Sequence, residues 1–402
     1  MPRLEDYRQF DGLHWETGSV RNYLAAVGAK APHTGQPYSE ALLMGISGGA
    51  VMGYFTFAYT GYDPHVVILT RNTFDPLDTL LARLGVVQTR KQTTNPEKAV
   101  ANLTDTLADG TPAIVWADHY TLPYNALLRD AGMWAMLPVL VYGYEQQQDT
   151  AWIADRARVP LTVTTGELAT ARGRAKNAKH RLMTLDHPDP EKLPSAVTAG
   201  IWDCIKLYTE APPKGAAHSF GIAAYQHWAD LLVQPKLRQS WAKEFPPGPK
   251  LYNGLRTAFE HVAIFGKDGN AERVKFAQFL DEAGVILRKP PLQHVADQFR
   301  RSGQAWDALG CALLPDSIPE LGETRRLLLQ RHHGFLARGS AALPEMQQID
   351  KRLAALRQEM TTDFSLSGAE VQELCAVASE HVLQIRDIEA KAVAELSQVM
   401  SG

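Results

Sequence analysis

Apolar residues recur at three- and four-residue spacing near the start of the chain, at Val20, Tyr23, Leu24 and Val27, and the run stops at Gly28. That period predicts a helix, with Thr17 or Ser19 placed to cap it. A second apolar stretch, Ser39-Glu40-Ala41-Leu42-Leu43-Met44, leads into the small-residue loop Gly45-Ile46-Ser47-Gly48-Gly49. The pattern then changes to short branched and aromatic runs bounded by Gly, Pro, Asp or Asn: Val66-Val67-Ile68-Leu69, Ala113-Ile114-Val115-Trp116, Val139-Leu140-Val141-Tyr142 and Ala151-Trp152-Ile153-Ala154. Such runs predict buried strands. Residues 76–84 and 99–107 carry helical spacing between them, so this part of the chain reads as α/β or α+β.

His187-Pro188-Asp189-Pro190 and Pro194 punctuate the sequence and place a domain boundary at 187/188. Beyond it the spacing is helical over 196–207, 222–232, 255–264, 272–287, 291–309, 324–338, 345–360 and 368–399. A first domain over 1–187 and an all-α second domain over 188–402 are therefore expected. Abundant Ala, Leu, Glu and Gln in the second agree with helix propensity.

Composition narrows the function classes. The 402 residues hold 41 Lys+Arg against 44 Asp+Glu, and 45% are apolar, enough for two ordinary domains with sizeable cores. A formal net charge of -3 gives no global attraction to nucleic acid or to an anionic membrane, and neither is expected as a partner. Cys204, Cys311 and Cys375 show no CxxC or CxxH spacing and are too few for a disulfide framework, which points to a reducing, cytoplasmic setting. The first residues lack an apolar signal core, and no apolar run reaches the ~20 residues of a membrane-spanning helix. GxGxxG, P-loop and HExxH patterns are missing, so no cofactor or metal is expected.

Several short segments could carry chemistry. His14-Trp15-Glu16-Thr17-Gly18-Ser19 sits at a helix N-terminus, where backbone N–H groups and the dipole favour developing negative charge. The loop around Ser47 satisfies GxSxG, but the residues before it read as helix where a nucleophile elbow needs a strand; a glycine turn approached by a partner or ligand is the simpler expectation. Asp118-His119-Tyr120 ends a strand, a usual place for working groups, although neighbours on an extended chain point to opposite faces. Asp155 also ends a strand and would cap, or pair with Arg156 or Arg158. His332 and His333 point about 100° apart on a helix and cannot share one metal, so a solvated face is expected. The basic run from Arg172 through Arg174, Lys176, Lys179 and His180 to Arg181 is likewise expected to be solvated.

Taken together, several segments resemble one family. Gly12-Leu13-His14, Val20-Arg21-Asn22-Tyr23-Leu24, Ser39 through Gly45 with Gly48-Gly49, and Tyr54-Phe55 look like the N-terminal domain of butirosin biosynthesis protein H and its relatives. The similarity continues through Val115-Trp116-Ala117-Asp118-His119-Tyr120-Thr121-Leu122-Pro123-Tyr124, Val141-Tyr142-Gly143-Tyr144 and Ala154-Asp155-Arg156. Ser219-Phe220-Gly221 and the stretch 273–282 resemble the helical domain of unknown function that commonly follows.

The resemblance implies an α+β, papain-like first domain before the all-α one. It also implies natural-product acyl transfer, from a carrier-protein thioester to an amine. In that chemistry a thiolate at a helix N-terminus attacks, a histidine moves the proton and a carboxylate orients it. Relatives place the cysteine directly after the His of the Gly-x-His segment, where this chain has Trp15. Their base histidine falls at Leu137 or Pro138, and Asp155 alone matches its role. Three expectations follow: an acyltransferase with rebuilt chemistry, a relative that binds acyl or peptide ligands without turnover, and a helical scaffold that forms a homodimer. For the first, His14, Glu16, His119 and Asp155 are the catalytic candidates, and Trp15, Ser19, Ser47, Asp118 and Tyr124 the substrate-binding ones. An acyl carrier protein or a small acyl or amine substrate is the expected partner.

Overall fold

A computed structural model of the chain describes residues 3–127, 132–210, 216, 218–265, 269–362 and 364–402. Its first elements are α1 (Trp15–Ala26), α2 (Glu40–Ile46), β1 (Ala50–Phe57), β2 (His65–Arg71), α3 (Pro76–Arg83), β3 (Gln88–Lys91), α4 (Pro96–Ala108) and β4 (Ala113–Asp118). β5 (Met136–Glu145), β6 (Thr150–Ala154), β7 (Leu161–Val163), α5 (Thr165–Gly173) and β8 (Leu182–Leu185) complete the strand-bearing stretch. Helices follow: α6 (Leu193–Thr209), α7 (Gly221–Val233), α8 (Trp241–Glu244), α9 (Pro249–Phe259), α10 (Arg273–Ile286), α11 (Leu292–Leu313), α12 (Pro319–Arg338), α13 (Leu343–Thr362) and α14 (Gly368–Ser401). The protein is thus α+β, with a sheet-containing N-terminal region and a helical C-terminal region.

Two units share the chain. One comprises Met1–Leu43, Asp75–Leu193 and Arg331–Gln348; the other comprises Met44–Phe74, Pro194–Gln330 and Ile349–Gly402. The β1–β2 hairpin belongs with the helical unit because β1 packs on α7 and β2 on α9. The end of α12 and the start of α13 belong with the sheet, where Phe335, Ala342 and Met346 join its core.

The first unit is built on an antiparallel sheet of order β3-β8-β4-β5-β6-β7. Alternation decides which residues it buries together: Ala113, Val115 and Ala117 of β4 share one cluster with Val139 and Val141 of β5, Ile153 of β6, and Leu103 and Leu168 from α4 and α5. α1 packs against β4 and β5. β3, Gln-Thr-Arg-Lys, has no apolar alternation and is an edge strand held by its pairing to β8.

In the second unit the apolar stripe of α14, from Leu374 to Leu396, is covered by α7 and α11. A fully buried ion pair lies among these helices. Arg273 Nε donates to Glu389 at 2.7 Å, and its Nη atoms donate to the carbonyls of Thr70, Ala271 and Val51 at 2.8–2.9 Å. Tyr208, Tyr225, Ser302 and Trp306 supply the remaining donors to Glu389. Every strong partner is therefore used internally, as a buried charge requires. Among the described residues no helix is long and apolar enough to cross a membrane.

Candidate active site

β4 and β6 both run antiparallel to β5, so they are parallel to each other and end at the same edge of the sheet. His119 follows the end of β4, and Asp155-Arg156 follow the end of β6. The same edge receives the start of α1, where Ser19 Oγ donates to the Pro138 carbonyl of β5 at 3.2 Å.

α1 opens earlier than the expected caps Thr17 and Ser19. His14, extended at φ -109° and ψ 150°, is the cap, and its Nδ1 accepts from the Glu16 N–H at 3.4 Å. The reason is a carboxylate from α2. Glu40 accepts from the N–H groups of Leu13 and His14 at 2.9 and 2.8 Å and from Thr17 Oγ1 at 2.9 Å, which fixes the turn and uses the hydroxyl. A Cβ on Gly12 would stand 2.1 Å from the Gly18 carbonyl oxygen, so the entry to the helix also depends on a bare backbone contact.

Arg156 is the centre of the site. Its guanidinium donates from Nε and Nη2 to the two oxygens of Asp155 at 2.8 and 2.7 Å, and from Nη2 to Asn125 Oδ1 at 2.6 Å. Nη2 also lies 3.2 Å from Nδ1 of His119. Tyr124 donates its hydroxyl to the same Asp155 at 2.9 Å. Both charged side chains are buried, at 5% and 2% exposure. Burial pulls the Arg156 guanidinium down, but the Asp155 carboxylate more than offsets this and holds it above its usual range. Burial, then the nearby Asp155 charge, pushes the Tyr124 phenol well above its usual value. Arg156 sits at φ +53°, a left-handed conformation that costs a non-glycine residue about 1–2 kcal/mol and is over-determined here by its hydrogen bonds.

Trp15, half-buried in the first turn of α1, closes this group. Its ring meets His119 edge-on at 5.8 Å and His14 at 5.1 Å, and the Arg156 guanidinium carbon lies 5.4 Å from its centroid. Glu16 follows it in the same turn and is half-buried. Trp15, His119, Asp155 and Tyr124 therefore meet around one arginine, and His14 joins them through its contact with Trp15.

An arginine can only donate, so within this contact Nδ1 of His119 can only be the acceptor, sharing Nη2 with the shorter bonds to Asp155 and Asn125. His119 is half-buried, and its backbone carbonyl accepts from Asn125 Nδ2 at 2.9 Å, which fixes the residue from the other side.

Two candidates lie elsewhere. Asp118 spends its carboxylate on other partners: it accepts from the Ala135 N–H at 2.8 Å and from Thr121 Oγ1, with Arg174 at 3.7 Å. Ser47 belongs to the second unit, is buried, and donates to the Met44 carbonyl at 2.7 Å. The loop it occupies is a glycine turn: Gly48 and Gly49 take φ +115° and +69°, and a Cβ on Gly48 would lie 2.0 Å from Asn72 Nδ2.

Other sequence expectations need correction. His332 is buried and only His333 is exposed, so the pair does not form a solvated face. Of the basic run, Arg172 is buried and donates to the carbonyls of Ala99 and His180, while Arg181 lies 4.5 Å over Trp116. Lys176 and Lys179 are exposed. Among the described residues no cluster of His, Cys, Asp and Glu could hold a metal ion.

Sequence reasoning missed the central role of Arg156, and missed Asn125, Arg331 and Phe335 altogether. The Asp155-Arg156 pair at a strand end was a usable signal for the first. Phe335 has no local signal, since it reaches Arg156 from a distant part of the chain: its ring centroid lies 5.6 Å from the guanidinium carbon.

Comparison with known proteins bears on the same residues. No curated protein matches the chain. Residues 14–156 match the family model for the N-terminal region of butirosin biosynthesis protein H, a span that opens on His14 and closes on Arg156. Residues 167–321 match a domain of unknown function, DUF4872, over the helices that follow. With the sheet edge and its arginine inside the first match and the helical region inside the second, the chain belongs to the butirosin biosynthesis protein H-like family with a helical second domain.

Proposed function

We propose that this protein transfers an acyl or aminoacyl group from a carrier-protein thioester to an amine in natural-product biosynthesis, by direct attack and without a covalent enzyme intermediate. The observation that carries the proposal is the Arg156–His119 contact, in which the guanidinium can only donate to Nδ1, and the proposal accordingly places the ring proton on Nε2. A donor of this kind stabilises the oxyanion of a tetrahedral intermediate. Membership of a biosynthetic family supports the substrate class. The absence of any cysteine from the first unit, whose segments exclude Cys204, Cys311 and Cys375, supports a route without a thiolate. On this proposal the unit is a papain-like scaffold, and Trp15 stands where relatives carry the nucleophile.

The chemistry then needs few groups. The amine nitrogen attacks the thioester carbonyl, forming the C–N bond, and the oxyanion accepts from His119 Nε2–H. Collapse breaks the C–S bond, and the proton lost by nitrogen passes through the Glu16 carboxylate to the departing thiolate. His14 and Trp15 hold the start of α1 against His119, and the α1 dipole favours the developing charge. Positioning of this type supplies a large share of such rate enhancements.

The test is to supply carrier-bound and small-molecule aminoacyl thioesters with amine acceptors and to follow amide formation by mass spectrometry. Loss of one oxyanion donor in His119→Ala should lower kcat about 10²- to 10³-fold. Unchanged turnover in His119→Ala would sink the assignment. Tight binding of the thioester with no amide would instead support ligand binding without turnover, a role favoured by the commitment of Asp155 to Arg156.

A further inference from the structure

We infer that Arg331 and Phe335, at the end of α12, are positioning residues for His119. The inference rests on the proposed donor role of that histidine. Both residues lie outside the two matched segments, 14–156 and 167–321, so neither family model assigns them anything. They are one helical turn apart and therefore share a face.

Their contacts fall on the two groups that hold His119. Arg331 Nη2 donates to the Asn125 carbonyl at 2.9 Å, and Asn125 in turn holds the His119 carbonyl and accepts from Arg156. The Phe335 ring stacks on Tyr124 at 6.3 Å and 20°, and its centroid lies 5.6 Å from the Arg156 guanidinium carbon, which also has the Trp15 ring centroid at 5.4 Å. Arg156 is thus in contact with two aromatic rings while its donors are held by Asp155, Asn125 and His119. The next residue adds a backbone tie: the Arg158 N–H donates to the Leu336 carbonyl at 2.8 Å. Removing the Phe335 ring frees the guanidinium to tilt. Removing Arg331 loosens the Asn125 turn. Either change relaxes the hydrogen bond that keeps the proton off His119 Nδ1.

Nitrogen-15 spectra of the full-length, histidine-labelled protein read this directly, with the His119 signals assigned through His119→Gln. In the wild type Nδ1 should resonate as an unprotonated nitrogen and Nε2 as a protonated one. Phe335→Leu and Arg331→Met should each shift the ring to a mixture of tautomers, and lower kcat about tenfold with little change in KM. Phe335→Tyr, which keeps the ring, should restore both. Where Phe335→Leu fails to fold, the less buried Arg331→Met decides. Unchanged tautomer signals in folded variants would overturn the inference, as would a protonated Nδ1 in the wild type. If the tautomer moves but no amide forms with any donor, the positioning role stands and the proposed function falls.

Discussion

Asp155→Asn removes one charge from a buried pair of the first unit and keeps its shape. The carboxylate accepts from Arg156 twice, at 2.7 and 2.8 Å, and from Tyr124 at 2.9 Å, and the two side chains are 2% and 5% exposed. Charge centres about 4 Å apart attract by about 4 kcal/mol at an effective dielectric constant of about 20. That matches the ~3–5 kcal/mol lost when one partner of a buried pair is removed. The guanidinium cannot shed its proton, so in this variant it stays charged and stranded. Arg156→Met strands the carboxylate instead and should cost a similar amount. Urea denaturation followed by circular dichroism measures both. The double variant Asp155→Asn/Arg156→Met should cost less than the sum of the singles by about 2 kcal/mol, because neither charge remains stranded. An Asp155→Asn cost below about 1 kcal/mol, or strict additivity, would show that water reaches the pair.

Three further outcomes are expected. Glu40→Ala strands the Leu13 and His14 N–H groups at about 1–3 kcal/mol each, whereas Glu40→Gln keeps one acceptor and costs less; equal denaturation midpoints would refute the account of how α1 begins. Burial lowers the His261 imidazole from 6.5 to about 4, so folding favours its neutral form; the second unit should lose up to about 3 kcal/mol as pH falls from about 6.5 to about 4, and His261→Gln should flatten that slope in denaturation curves. A maleimide should label the native chain once, at exposed Cys311, since Cys204 and Cys375 are buried and burial pushes the Cys375 thiol up to about 11; a second native label would contradict the packing.

What the sequence disclosed follows from where information is local. The four branched runs carry their own strand signal, and each is a strand. β3, with its polar Gln-Thr-Arg-Lys, and three-residue β7 carry none and exist through pairing to β8 and β6. Alternation sets Asp118 and His119 on opposite faces of an extended chain. It could not say which would meet Arg156, because that depends on β4 and β6 ending together across β5. The cap of α1 was misplaced for a similar reason: the acceptor that fixes it, Glu40, comes from another helix. Phe335 and Arg331 were invisible, since only the folded chain brings the end of α12 to the sheet edge.

The central claim is that transfer proceeds by direct attack beside His119. Intact-mass spectrometry of the protein during a single turnover with an aminoacyl thioester and an amine tests it most directly, run on the wild type and on a variant with Cys204, Cys311 and Cys375 all replaced by serine. Amide should form at the same rate in both, with no acylated enzyme at any time point. An acyl-enzyme adduct in the wild type, or loss of turnover in the cysteine-free variant, would contradict direct attack.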